Sequence, residues 1–306
     1  MSIPLFTEYC SRSVRVPGKL IITFLLTSPG LVACGGGSSG GSGSTPSTAV
    51  VSGSAIDGPI QNGTVTSYTV TAAGQKGSTL KSTNTDLNGN YSLSLNYTGP
   101  VLLELTGGTY VDDASGSTTN VPTGSDLQAA LNVTAGQTIT AQITPLTSMA
   151  AARAQTMSGG LTAANINAAN QQTGAYFGGL DILNTKPINP LINNSASGAT
   201  QKAIDYGLVL AGISKEAQTL NLTNPFELVT ALTQDYSDGV FNGLADSTPV
   251  QMNGFAVIPT IGTADLSTAI SSFSASNSNS SGRVVSPSIV SSVSTGTTNP
   301  PSFRVN

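Results

Sequence analysis

The chain contains no histidine and no tryptophan, only two cysteines, and charged side chains at just 8% of its positions. Without histidine there can be no Ser-His-Asp or Cys-His catalytic device and no histidine-bearing zinc site. The absence of tryptophan and a total of 5% aromatics leave little to stack against sugar rings. Long apolar runs are missing too. The stretch over residues 20–26 (LIITFLL) falls far below the ~20 residues that a membrane-crossing helix needs. From residue 34 onward, 8 Lys and Arg stand against 14 Asp and Glu, a formal charge of −6, with no basic run to hold a nucleic-acid backbone.

What is present near the N-terminus has a definite order. Arg12, Arg15 and Lys19 precede the short apolar run, Pro29-Gly30 breaks any helix, and Leu31-Val32-Ala33-Cys34 follows, after which residues 35–48 are almost entirely Gly, Ser and Thr. Small residues before a cysteine let a peptidase reach the backbone, and a thiol can be alkylated. These residues resemble the lipobox of bacterial lipoprotein signal peptides, with cleavage between Ala33 and Cys34 and a diacylglyceryl group on Cys34. The plainer alternative is a secretory signal with an incidental cysteine. The resemblance implies a cell-envelope protein held to the membrane by lipid. Gly35, where many inner-membrane lipoproteins have aspartate, favours the outer membrane, on its periplasmic or its surface side. Because Cys10 leaves with the signal and Cys34 takes the lipid, no thiol remains for a disulfide.

The Gly/Ser tract behaves as a flexible coil with an r.m.s. reach of ~20 Å, a tether. Beyond it the pattern is that of short strands broken by turns, over residues 50–55, 64–70, 79–83, 91–95, 101–105, 127–133 and 138–143. Asn62-Gly63 and Asn88-Gly89 are tight-turn signals, Asp57-Gly58-Pro59 is a further turn, and residues 91–95 alternate strictly. About seven strands suit a small antiparallel sandwich. The segments "VSGSAIDGPIQNGTVTSY", "TDLNGNYSLSL" and "GPVLLELTGGTYVD" resemble the carboxypeptidase regulatory-like, or transthyretin-like, β-sandwich, and "ITPLTSMAAARA" with the residues after it is similar to uncharacterised proteobacterial lipoproteins. The fold this implies is α+β, a small prealbumin-like antiparallel β-sandwich followed by an α-helical domain. The resemblance carries no catalytic group with it.

After Pro145 the periodicity becomes helical. Thr147 is expected to cap a helix over 148–157, and Thr162 one that runs to Tyr176. Ala203, Ile204, Gly207, Leu208 and Ala211 predict a helix over 200–220. Asn224-Pro225-Phe226-Glu227 is a start signal for one ending near Tyr236, and a weaker helix is expected over 265–273. The Ser/Asn/Thr-rich end is expected to be poorly ordered. The organisation expected is thus a signal peptide over 1–33, lipidated Cys and linker over 34–48, β-sandwich over 49–145, helical domain over 146–274 and tail over 275–306.

Candidate chemistry is confined to carboxylates, hydroxyls and a few lysines. Asp86, Asn88 and Asn90 place oxygens at alternate positions, as a calcium loop does. Counted from Asp86, however, Gly89 falls at position four and Tyr97 at twelve, where an EF-hand-like loop has glycine at six and a bidentate Glu at twelve, so a hairpin turn is the expected role. Asp112-Asp113 before Ala-Ser-Gly could take a cation or a glycan, against the simpler expectation of a solvated loop. Asp235 and Asp238 lie at a predicted helix C-terminus, where carboxylates are unfavourable, and so call for a partner such as a metal or a turn amide. Glu104, Glu216 and Glu227 each have structural explanations in a strand, on a helix face and in a cap. Tyr68, Tyr91, Tyr97 and Tyr110 are expected on the sheets, as core rather than as a ligand platform.

The reading that follows is a lipid-anchored, non-enzymatic binding or structural module with no catalytic residue, no metal site stronger than the Asp86 and Asp235 loops, and no cofactor beyond the lipid. Its partners would be the membrane, through the lipid, and an envelope protein or glycan. The alternatives are an envelope hydrolase working with Asp and Glu carboxylates on glycan or peptide, and a surface adhesin.

Overall fold

In the computed structural model, which describes residues 47–252, 254–257 and 259–295, the chain is a mixed α+β fold with mainly antiparallel sheets followed by helices. Cys34 and Ala33, the lipidation and cleavage positions, lie outside the described residues. The described residues belong to one compact unit, Ser44–Asn306.

The strands are β1 (Ala49–Ser54), β2 (Thr64–Val70), β3 (Lys76–Asn84), β4 (Asn90–Leu95), β5 (Gly99–Thr106), β6 (Thr109–Val111), β7 (Thr118–Asn120), β8 (Leu127–Val133) and β9 (Thr138–Thr140). One sheet has the order β4-β1-β9 and a second the order β3-β2-β5-β8. β1 pairs antiparallel with β4, Val51 opposite Leu93, and parallel with β9, Val51 opposite Ile139. Period-two alternation decides which residues face inward. Tyr91, Leu93 and Leu95 of β4 are buried while Ser92 and Ser94 are exposed.

β5 is apolar at consecutive positions because both its faces are covered. Val101, Leu103 and Leu105 join the main core, whereas Leu102 and Ala130 pack with Ala151, Ala154, Ile166 and Ala169 of the first two helices. β3 is an edge strand, largely exposed, irregular in register against β2 and carrying Lys76 and Lys81, features that discourage pairing with another chain. The hairpin of β6 and β7 was not apparent in the sequence, because each strand has only three residues.

The helices are α1 (Pro145–Thr156), α2 (Ala163–Tyr176), α3 (Gln201–Thr219), α4 (Phe226–Asp235), α5 (Ala264–Ser274) and α6 (Pro287–Ser294). α1 begins three residues before its expected start. Thr144, not Thr147, is the cap, Pro145 is the first helical residue, and Thr147 closes a reciprocal capping box by accepting from the Thr144 amide at 2.8 Å. Thr162 caps α2 as expected, and α3, expected over 200–220, is capped by Thr200. The side-chain Oδ1 of Asn224 accepts from the Phe226 amide at 2.9 Å, at the start of α4.

α3 is buried on nearly every side, including Asp205, Ser214 and Glu216, and α5 lies along it. Gly212 makes this approach feasible, since a Cβ there would stand 2.3 Å from Ile270 Cγ1. The Tyr206 hydroxyl, also on α3, shares a 2.7 Å hydrogen bond with Thr144 and donates to the Ile182 carbonyl at 3.1 Å, so α3 is tied to the start of α1.

One hydrophobic cluster runs from Ala49 on β1 to Val293 on α6, through the sheets and the helices alike. Residues 275–295 therefore depart from the expected poorly ordered tail. Val285, Ile289 and Val293 are buried, and isolated valines and isoleucines that looked too sparse to fold are the anchors of a short helix packed on α5. Two short hairpins within residues 244–256 also interrupt the helical part.

Candidate functional site

Ile56 and Pro59 close a tight turn after β1, and Gln61 exchanges two backbone hydrogen bonds with Thr109 at 2.8 and 3.0 Å. This bridge seats the turn against the β6–β7 hairpin. Gly58 has φ +75°, and a Cβ on it would lie 2.4 Å from the Val111 carbonyl oxygen, so glycine is required. The consequence is that Asp57 and the hairpin residues Tyr110, Asp112 and Asp113 come together although about fifty positions separate them in the chain.

All four side chains are buried, with relative exposures of 1% for Asp57, 0% for Tyr110, 3% for Asp112 and 2% for Asp113. The expected solvated loop at Asp112-Asp113 is thereby overturned. The hairpin folds its acidic tip inward, because Tyr110 packs edge-on against Phe226 at the start of α4, with ring centroids 5.5 Å apart. Asp112 Oδ2 accepts from the Ser115 amide at 2.8 Å and the Ser115 hydroxyl at 2.6 Å. Its Oδ1 has no partner. Neither have both oxygens of Asp57, Oδ1 of Asp113 and the Tyr110 hydroxyl, all of them buried.

Three carboxyls accumulate here, and among the described residues no basic group acts on Asp57 or Asp113. Burial, and then the neighbouring Asp112, push Asp57 up to about 8. Asp113 is held well above the usual carboxylate range by burial and by the charges of Asp57 and Asp112. The Tyr110 hydroxyl is raised by burial and by all three carboxylates. Among the described residues, no three His, Cys, Asp or Glu side chains stand close enough together to hold a metal ion as they are placed.

The loops singled out from the sequence have other engagements. Asp86 is exposed. Its Oδ1 accepts from the Asn88 and Asn90 amides, both at 2.8 Å, and its Oδ2 from the Asn90 side-chain amide at 2.9 Å, which hold its carboxyl below the ordinary range. Asn90 Oδ1 in turn accepts from Ser54 and from the Lys186 ammonium, each at 2.8 Å. A divalent cation at Asp86, Asn88 and Asn90 would meet that ammonium. Asp235 is fully buried and answers the question posed by its helix end with turn amides. Its Oδ1 accepts from Asn242 at 3.0 Å and Gly243 at 2.8 Å, which oppose the upward push of burial. Asp238 Oδ1 caps the Val240 amide at 2.9 Å.

The glutamates are likewise accounted for. Glu104 pairs with Lys76 at 2.8 Å beneath Tyr68 and Gln128. Glu216 is raised by burial and by Asp265. Glu227 stands in the first turn of α4.

A cleft of about 460 Å³ opens beside α2, lined by the polar Asn167, Asn170, Gln171, Asp181 and Asn184 and by the apolar Ala175, Leu180, Ile182 and Leu183. Its amides offer donors and acceptors with little charge. No helix among the described residues is long and apolar enough to cross a membrane. No protein-family model matches the chain, and no curated protein matches it.

Proposed function

We propose that the chain is a lipid-anchored cell-envelope protein that serves as a binding or structural module. The observation that carries this reading is the succession Leu31-Val32-Ala33-Cys34, a Gly/Ser/Thr tract over 35–48, and a first strand beginning at Ala49. Lipid on Cys34 would hold the protein, and the tract would let the folded unit stand off from the bilayer. Each buried acyl CH₂ contributes ~0.8 kcal/mol, so the two or three chains that a lipobox implies make attachment durable.

Two sheets of three and four strands sharing one core support the transthyretin-like sandwich, a fold that presents surfaces rather than a catalytic device. The amide-lined cleft beside α2 suits an uncharged, hydroxyl-rich glycan or a peptide. A non-enzymatic role is in keeping with a chain that has no histidine and whose glutamates are absorbed into an ion pair, a buried helix face and a first turn.

Fractionation of cells expressing the wild type and Cys34→Ser tests the reading. The wild type is expected in the outer-membrane fraction and the variant in the soluble fraction; a variant that stays with the membrane refutes it.

A further inference from the structure

We propose that Asp57, Asp112 and Asp113, together with the Tyr110 hydroxyl, bind a hard divalent cation of the calcium type. The inference is independent of the lipid anchor. It begins from five oxygens, Asp57 Oδ1 and Oδ2, Asp112 Oδ1, Asp113 Oδ1 and Tyr110 Oη, that are buried and hydrogen-bond to nothing, neither to one another nor to the backbone. A buried polar atom without a partner costs about 1–3 kcal/mol, more when it is charged, and native structures carry few of them. Here they belong to four residues that act electrostatically on one another across the Gln61–Thr109 bridge.

Protons alone do not resolve the cluster. A protonated carboxyl is neutral, but its O–H becomes a buried donor that needs an acceptor, and the Tyr110 hydroxyl is already a donor without one. A lysine or arginine would serve, yet neither the forces on Asp57 nor those on Asp113 include a basic group. A divalent cation would give these oxygens a common partner and offset two of the three negative charges. Oxygen-only donors with no nitrogen or sulfur exclude zinc and copper by preference. Buried carboxylates fit calcium better than magnesium, which keeps several of its waters.

As they stand, the three carboxylates are not grouped closely enough to hold an ion, so binding would have to draw the turn and the hairpin together around it. Its place in the fold gives the ion a role. Asp57 comes from the turn after β1, Asp112 and Asp113 from the hairpin, and Tyr110 leans on Phe226 of α4. A bound ion would clamp the turn to the hairpin and hold the hairpin against the helices.

Terbium, a luminescent stand-in for calcium, provides the probe, because the chain has tyrosines and no tryptophan to excite it. In the wild type, tyrosine excitation should yield terbium emission that calcium chloride displaces, and the melting temperature in about 1 mM calcium chloride (~10³-fold over a micromolar site) should exceed that in EDTA by several degrees. Asp57→Asn and Asp113→Asn should lose both responses, while Asp86→Asn, at the exposed turn, keeps them. The proposal is overturned if the wild type shows neither calcium-displaceable emission nor a calcium-dependent shift, or if both responses survive in Asp57→Asn and Asp113→Asn. The two wild-type measurements decide the matter even where a variant fails to fold.

Discussion

Replacing Asp57 by Asn tests the energetics of the buried acidic cluster through a change that depends on both pH and calcium. Asn keeps the shape of the side chain and removes its charge. In metal-free protein, burial and Asp112 push the Asp57 carboxyl up to about 8, whereas in the unfolded chain it titrates near its ordinary ~3.9. A folded value above the unfolded one means that the favourable contribution is fully present below about pH 4 and is lost as pH rises through about 8.

At pH 7 the carboxyl has been carried about three units past its unfolded value, a cost to folding on the order of 2–4 kcal/mol at ~1.4 kcal/mol per unit. The amide avoids that cost. Because a buried amide and a buried neutral carboxyl lose similar solvation, the two proteins should differ little at pH 4. Urea unfolding followed by circular dichroism in EDTA should therefore find Asp57→Asn more stable than the wild type by ~2–4 kcal/mol at pH 7 and nearly equal at pH 4. Calcium at a hundredfold excess over its dissociation constant adds ~2.7 kcal/mol to the wild type alone and erases most of the variant's advantage. A variant less stable than the wild type in EDTA at both pH values, or a gap that calcium leaves unchanged, refutes the reasoning.

Other perturbations follow from the packing. Gly212→Ala gains ~1 kcal/mol of helix propensity but drives a methyl to 2.3 Å from Ile270, so a net loss of about 1–2 kcal/mol is expected from denaturant midpoints; a neutral result would mean that α5 does not lie on α3 as described. Tyr206→Phe removes the hydroxyl that links Thr144 and the Ile182 carbonyl and should cost about 1–2 kcal/mol in the same assay. Ile289→Ala, within the end of the chain that looked unstructured, should cost about 2–4 kcal/mol, since Ile289 is wholly buried; an exposed tail would show no change.

Much of the fold was legible because local rules were sufficient for it. The alternation of residues 91–95 marked β4, and the unbroken apolar run over 101–105 marked β5, whose two covered faces explain it. Thr162 announced the start of α2, and the apolar spacing from Ala203 to Ala211 marked α3. Where the reading failed, the deciding contact was non-local or the signal was split. Thr144-Pro145 is a cap followed by a first helical residue, but Pro145 looked like a boundary and the start was displaced to Thr147. Residues 275–295 have the composition of a coil, and only docking of Val285, Ile289 and Val293 onto the core gives them structure.

The acidic cluster failed to appear for the same reason. Asp57-Gly58-Pro59 read as a turn and Asp112-Asp113 as a surface loop, each correct as to backbone and silent about burial. Nothing in linear spacing joins position 57 to position 112. The paired bridge between Gln61 and Thr109 does, together with the packing of Tyr110 on Phe226. By contrast, the oxygen-rich stretch at Asp86 looked more like a cation loop than it is placed to be, because the Lys186 ammonium reaches Asn90 from 96 positions away.

The central claim, that lipid on Cys34 holds this folded unit to the envelope, is tested most directly by mass spectrometry of the N-terminal peptide from protein extracted from membranes. The account predicts a mature chain whose first residue is Cys34, bearing a diacylglyceryl group on its sulfur. A chain that retains residues 1–33, begins elsewhere, or carries an unmodified thiol at Cys34 would contradict it.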